Sequence, residues 1–354
     1  MDTRTVEMRI GGIILLGEEL EPVEGYLCIS IRDNIIESIE EERCKEKNLI
    51  LPSFFNAHTH LGDSIIKDPP SIGLDELVKP PNGLKHQALK SVPREKLTEA
   101  IKDSMESMIA WGCGGFADFR EGGVEGVLVL REALEQISGV KNLVPIILGR
   151  PLAGEVEDVL RVCDGLGISG YNDTPEVERW SETCRKRGKI LSIHAGEKDN
   201  SDIDGALSLE PDVVVHMVHA TDSHLRTCAD EGINVVVCPR SNMATGVGLP
   251  PIKRMVEMGV DVCIGTDNVM LSSPSLLDEL SFCWYNLHID ERELLKMATW
   301  KGRRAFGVDG GVIEEGEKAD VLVVNLDTKN MRNTTDPIRS VVRRCKPEDL
   351  RCVL

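Results

Sequence analysis

Eight short apolar runs, each followed by a stretch of polar or helix-spaced sequence, constrain this chain more than any other feature. The runs are Leu49–Phe55, Gly114–Phe119, Leu143–Leu148, Gly165–Ser169, Ile190–Ile193, Val213–Val215, Ile233–Val237 and Val260–Ile264. Among the intervening segments, Arg94–Ala110, Gly126–Ile137, Glu176–Arg187, Asp222–Asp230 and Ile252–Met258 carry amphipathic spacing. Short continuous apolar runs suit strands buried on both faces, as in a parallel sheet covered by helices. Eight β-then-α units in about 250 residues is the arithmetic of a (β/α)8 TIM barrel; a doubly wound open sheet is the competing arrangement.

The polar residues separate the two. His58 and His60 follow the first run, Asp118 and Arg120 end the second, and Arg150 follows the third. His194 and Glu197 follow the fifth, His216 and His219 the sixth, Cys238-Pro-Arg-Ser-Asn242 the seventh, and Asp267 the eighth. A barrel gathers all strand C-termini on one face, where its active sites lie. An open sheet would spread these groups along a line too long for one site.

Both ends of the chain read as strands, with Glu7–Leu16 and Tyr26–Ile39 near the start and Ala319–Leu326 near the finish. The expected fold is therefore α/β, a TIM barrel over residues 50–311 with a small composite β-sandwich domain from residues 1–49 plus 312–354. Lys and Arg number 41 against 59 Asp and Glu, a net charge of −18. That balance argues against nucleic acid or an anionic membrane as partner, because phosphate surfaces reward Lys and Arg. No apolar run approaches the roughly 18 residues of a membrane span, and the start has no signal-peptide core. The expected setting is cytoplasmic, the partner a small-molecule substrate, and a homo-oligomer is a common state for such enzymes. The 11 cysteines are scattered without a CxxC pair, which argues against a disulfide framework or a zinc ribbon.

His58-Thr59-His60 sits where a strand ends, and residues i and i+2 of a strand point to one side, so both imidazoles can reach one ion. His194 and Asp267 end other strands of the same barrel. Three imidazoles and a carboxylate suit a borderline divalent ion, Zn2+ ahead of Fe2+.

Together, Leu51-Pro-Ser-Phe-Phe-Asn-Ala-His-Thr-His60, His194-Ala-Gly-Glu197, His216-Met-Val-His219, Cys238-Pro-Arg-Ser-Asn242 and Gly265-Thr-Asp267 resemble the amidohydrolase superfamily. The nearest branch is that of the metal-dependent deaminases and chlorohydrolases of amino-substituted rings: S-adenosylhomocysteine, methylthioadenosine, guanine and cytosine deaminases and the triazine hydrolases. The resemblance implies one divalent ion held by His58, His60, His194 and Asp267. It implies Glu197 as proton shuttle, Asp267 as proton acceptor, and His219 as the group that steadies water or substrate. His216 is left with two readings, a member of the site or a histidine of the barrel wall. The implied reaction is hydrolytic deamination of a purine, pyrimidine, pterin or nucleoside derivative by metal-activated water, with release of ammonia. Hydrolysis of a cyclic amide or a carbon–halogen bond is the alternative.

Binuclear relatives use a lysine at the end of the fourth strand, and no lysine lies between Lys141 and Lys186, so a single ion is expected. The seventh-run motif departs from the His-Asn-Pro-x-Ser-Asn of many relatives, and the segment 61–94 is Pro-rich and partly basic. Both put the substrate rather than the metal site in question. Arg120, Arg150 and Arg240 follow three of the runs and are candidates for an anionic group on the substrate, since a guanidinium offers a planar fork to carboxylate or phosphate. Polynucleotide deaminases carry a H-x-E…P-C-x-x-C signature, which is absent here.

Overall fold

The structure is a computed structural model that describes residues 7–79, 81–137, 143–152, 154–172 and 174–353. Residues 1–6 and Leu354, the outer ends of the expected composite domain, lie outside the described residues. Four strands open the chain: β1 (Glu7–Leu16), β2 (Glu21–Ser30), β3 (Ile35–Glu41) and β4 (Asn48–Pro52). Next come the strands of the parallel sheet: β5 (Phe54–His60), β6 (Cys113–Arg120), β7 (Val144–Gly149), β8 (Gly165–Ile168), β9 (Ile190–Ala195), β10 (Val213–His216), β11 (Asn234–Val237), β12 (Val262–Ile264) and β13 (Asp267–Asn268). Two strands end the chain, β14 (Val321–Asn325) and β15 (Leu350–Val353).

The parallel sheet runs β12-β11-β10-β9-β8-β7-β6-β5-β13. β12 pairs with β11, and just beyond it β13 pairs with β5. One segment thus bonds to both edges and closes the sheet into a TIM-barrel-like α/β fold. The Asn56 side chain fastens this seam. Its Nδ2 donates to Thr266 Oγ1 (2.8 Å) and its Oδ1 accepts from Thr266 N (3.0 Å).

Alternation along the strands sorts side chains between two cores. Val213, Val215, Val236, Leu148 and Phe119 pack in one cluster with Phe55 and Cys263. The intervening Val214, Val235, Ile147 and Phe116 pack against helix residues such as Ile101 and Leu130. The first is the barrel interior and the second its contact with the surrounding helices. The helix Arg94–Ala110 has the bounds read from its spacing. The helix Asp222–Glu231 starts where Thr221 Oγ1 accepts from His224 N and stops at Gly232, whose φ of 69° suits a residue without Cβ.

The run Leu49–Phe55, expected as one barrel strand, is two. β4 joins the sheet of the chain ends, and the barrel begins with β5 after Ser53. Apolar residues mark burial but not the sheet that provides it. The end strands form one six-stranded sheet, β15-β14-β4-β1-β2-β3. Among the described residues, no helix is long and apolar enough to cross a membrane.

Candidate active site

Three broken backbone rules deliver the site. The pairing of β5 with β6 shifts register between Asn56 and Thr59. Strict alternation would turn His58 away from the interior that Ala57 occupies. Past the shift, the His58 ring packs edge-on against Phe119, centroids 4.6 Å apart. At the end of β10, His216 and Met217 have φ of 80° and 51°. This left-handed turn, uncommon for such residues, rotates His216 from the helix side to the mouth of the barrel. Asp267, with φ of 57°, follows the same pattern at the closing seam.

His58, His60 and His194 bring one ring nitrogen each within 4.8 Å of one another. His58 Nε2 lies 3.1 Å from His194 Nε2. Asp267 Oδ1 lies 3.3 Å from His58 Nε2 and 3.5 Å from His60 Nε2. The four groups named from the sequence therefore converge. Their donor set, three imidazoles and a carboxylate, fits one divalent ion of the zinc type. Burial pulls His58 down to about 4, and burial with neighbouring imidazoles holds His194 well below its ordinary value, so both rings are unprotonated and able to ligate. Burial alone would raise Asp267, but the His58 hydrogen bond and the surrounding imidazoles hold it well below the usual carboxylate range.

Outer contacts orient these groups. The Ser241 hydroxyl donates to Asp267 Oδ2, and Asn242 Nδ2 lies 3.0 Å from His216 Nδ1. Both come from the short helix Pro239–Thr245. The sequence motif there is recognisable, but its spacing gives these two side chains no partners. His60 Nδ1 lies 3.1 Å from Glu121 Oε1, a carboxylate–histidine contact of the kind that fixes a ligand's tautomer.

Glu197 Oε2 is 3.6 Å from His216 Nε2, and both line a cavity of about 270 Å³ with His60, His194 and Asp267. Desolvation raises the Glu197 carboxyl above its ordinary value. His219, expected from the sequence beside the water or substrate, is exposed and does not line the cavity.

The three arginines part company. Arg150 lines the cavity and donates to Ser169 Oγ at 2.7 Å. Arg120 shares the outward register of Phe116 and Asp118. It is 1% exposed, lies against Gly62, and pairs with Glu121 at 3.3 Å. Arg240 turns toward the helix Leu276–Leu287, with Nη1 near the Ser273 and Ser275 carbonyls at 3.3 and 3.4 Å. Neither Arg120 nor Arg240, expected from the sequence at the substrate, lines the cavity. Asp118 is likewise structural: its Oδ1 accepts from Leu61 N and Thr59 Oγ1.

The amidohydrolase family model matches residues 49–348. An uncharacterised protein of Methanocaldococcus jannaschii is 36% identical over 369 residues, 95% of this chain and 94% of that one. A 5-methylthioadenosine/S-adenosylhomocysteine deaminase of Pyrococcus abyssi is 25% identical, covering 96% of this chain and 90% of its own. Among solved structures, the zinc complex of atrazine chlorohydrolase from Arthrobacter aurescens superposes with a TM-score of 0.79 at 19% identity, over 98% of this chain and 93% of that one.

Proposed function

The chain belongs to the amidohydrolase family, and from that membership and the geometry of its cavity we propose that it hydrolyses a C–N bond of an amino-substituted nitrogen heterocycle, releasing ammonia. The observation that carries this is the meeting of Glu197, His216 and Asp267 with the His60 and His194 rings around one cavity, with a His58 ring nitrogen close to both rings. Deaminases among the relatives, such as that of Pyrococcus abyssi, support the nucleoside-like end of the substrate range.

In this reading His58, His60, His194 and Asp267 hold one divalent ion, zinc ahead of iron. Such an ion lowers the pKa of water and polarises the bond under attack. The carboxylate of Asp267 takes up a proton, with Ser241 holding its other oxygen in place. Burial shifts the Glu197 carboxyl toward its neutral form, which suits it to pass a proton to a ring nitrogen or to the departing amine. His216, steadied by Asn242, faces the same volume and orients the attacking or leaving group. Arg150 meets an anionic or strongly polar substituent remote from the reacting carbon. β8 reads Gly-Leu-Gly-Ile and brings no lysine, which supports a mononuclear centre. We also read the six-stranded sheet as a composite β domain built from both chain ends, its first segment running on through β4 to Pro52 rather than stopping at residue 49. Its separate apolar cluster of Ile14, Leu27, Ile29, Ile36 and Ile50 supports a sandwich-like closure.

A panel of aminopurines, aminopyrimidines, pterins and adenosyl thioethers, assayed for ammonia with metal content measured in parallel, tests the proposal. Turnover of the true substrate without ammonia would move the enzyme to the cyclic amide or chlorohydrolase reading. Glu197→Gln is expected to keep the ion and lose several decades of kcat.

A further inference from the structure

The helix Leu84–Ser91 reaches the cavity lining through Lys85 and buries no apolar side chain fully. Its one fully buried residue is Lys85, a residue type almost never buried unless paired. Lys85 Nζ lies 2.7 Å from Glu121 Oε1 and 3.1 Å from Asp63 Oδ2. The side chains of Lys85, Glu121 and Asp63 are 5%, 8% and 0% exposed. Glu121 is the carboxylate that touches His60 Nδ1. Asp63 Oδ1 is buried without a hydrogen-bond partner, so the pocket offers an acceptor that the ammonium leaves unused. His60, Asp63 and Glu121 bring ligand atoms within 4.8 Å of one another, the spacing of a cation site.

We propose that Lys85 is a tethered cation that fills a second cation subsite, formed by Asp63 and Glu121 at the Nδ1 edge of His60, and that the helix Leu84–Ser91 is docked over the cavity by this plug. The inference leans on the metal-site reading only for the role of His60; the subsite itself stands on Asp63, Glu121 and Lys85.

Two neighbouring carboxylates removed from water need a cation or a proton. Arg120 serves one side of Glu121 through its Nη2 at 3.3 Å from Oε2. Among the described residues, Lys85 alone bridges both acids at salt-bridge distance. Burial would strip its proton, yet the two carboxylates outweigh burial and keep it charged. The preceding helix, Leu74–Val78, has its own tie across the cavity in the exposed pair Lys198–Asp75 at 2.8 Å, and exposed pairs contribute little. The cavity wall to which Lys85 belongs is therefore held by the same carboxylate that orients a metal ligand. With the helix down, the chain supplies its own second cation and the centre takes one ion; with the helix lifted, the subsite is open to a free one.

The test is the ion content of the full chain equilibrated with Zn2+ or Mn2+, together with amide hydrogen exchange over residues 84–91. Wild type is expected to bind one equivalent. Lys85→Met, which keeps the length and removes the charge, is expected to bind two, and Lys85→Met with Asp63→Asn to return to one. Lys85→Arg restores a tethered cation and is expected to bind one. Exchange over 84–91 is expected to quicken on the order of tenfold or more in Lys85→Met and to stay near wild type in Lys85→Arg. Lys85→Gln replaces the Met variant should that fail to fold. An unchanged ion count in the charge-removed variant, or a second ion that survives Asp63→Asn, overturns the proposal. A wild type with no divalent ion would sink the proposed function instead, while a single equivalent gained on loss of Lys85 and lost with Asp63→Asn would still uphold the subsite.

Discussion

Replacing His216 and His219 separately by asparagine distinguishes a site residue from a near neighbour with the same side chain. His216 is 2% exposed, with Asn242 Nδ2 at 3.0 Å on one ring nitrogen and Glu197 Oε2 at 3.6 Å from the other. In His216→Asn the shorter side chain cannot keep both contacts. A positioned acid–base or orienting group contributes about 10²–10⁴-fold, which at about 1.36 kcal/mol per decade is roughly 2.7–5.4 kcal/mol of barrier. His219 is exposed to solvent. Its replacement is expected to leave kcat within about twofold and stability within about 0.5 kcal/mol, the range of ordinary surface changes. The assay is steady-state ammonia release, with metal content and thermal midpoint recorded for each variant, so that loss of the ion or of the fold is not mistaken for loss of chemistry. A His219→Asn enzyme that collapses while His216→Asn turns over normally would refute the placement of His216.

Three further outcomes follow from particular contacts. Arg150→Met is expected to raise KM more than it lowers kcat for an anionic substrate, whereas Arg240→Met is expected to leave KM unchanged; equal effects in steady-state kinetics would remove the distinction between them. Arg303→Met strands Asp320, which is paired with Arg303 in a buried site shared with Ser53; breaking such a pair costs about 3–5 kcal/mol, read from urea midpoints, and Asp320→Asn in the same chain should recover part of it. Glu279 is fully buried, and desolvation raises it from 4.5 to about 8 despite Arg240. Between these values the folded chain keeps a proton that the unfolded chain has lost. Stability from this group is therefore complete below about 4.5 and drains away as pH rises through about 8. Glu279→Gln should lack that decline, and parallel urea-stability curves for the two proteins from about pH 5 to 8.5 would refute it.

Much of the site was legible because chemistry and strand ends coincide in the sequence. Each of His58, His60, His194 and Asp267 stands just past an apolar run, and in a barrel that position alone brings residues far apart in the chain together. Arg120 could have been set aside on period two, since Phe116, Asp118 and Arg120 share one register and Ala117 and Phe119 the other. His216 could not, because nothing in Val-Val-Val-His-Met announces a φ of 80° at the strand's end. Ser241 and Asn242 stand within a recognisable motif, but their partners Asp267 and His216 are each 26 residues away. Lys85 was hidden for a similar reason: a lysine in a Pro-rich basic segment reads as solvated until Asp63 and Glu121 are seen around it. The division of Leu49–Phe55 between two sheets was also invisible, as both sheets bury it equally.

The central claim is a single-ion hydrolase that releases ammonia. Its most direct test is ammonia release by the chain stripped with a chelator and then titrated with Zn2+ in the presence of its substrate. Activity is expected to be absent without the ion, to rise linearly and to break at one equivalent per chain, and Asp267→Asn is expected to abolish both the activity and the tight equivalent. Ammonia release that persists in the stripped chain, or full activity that requires a second equivalent, would contradict it.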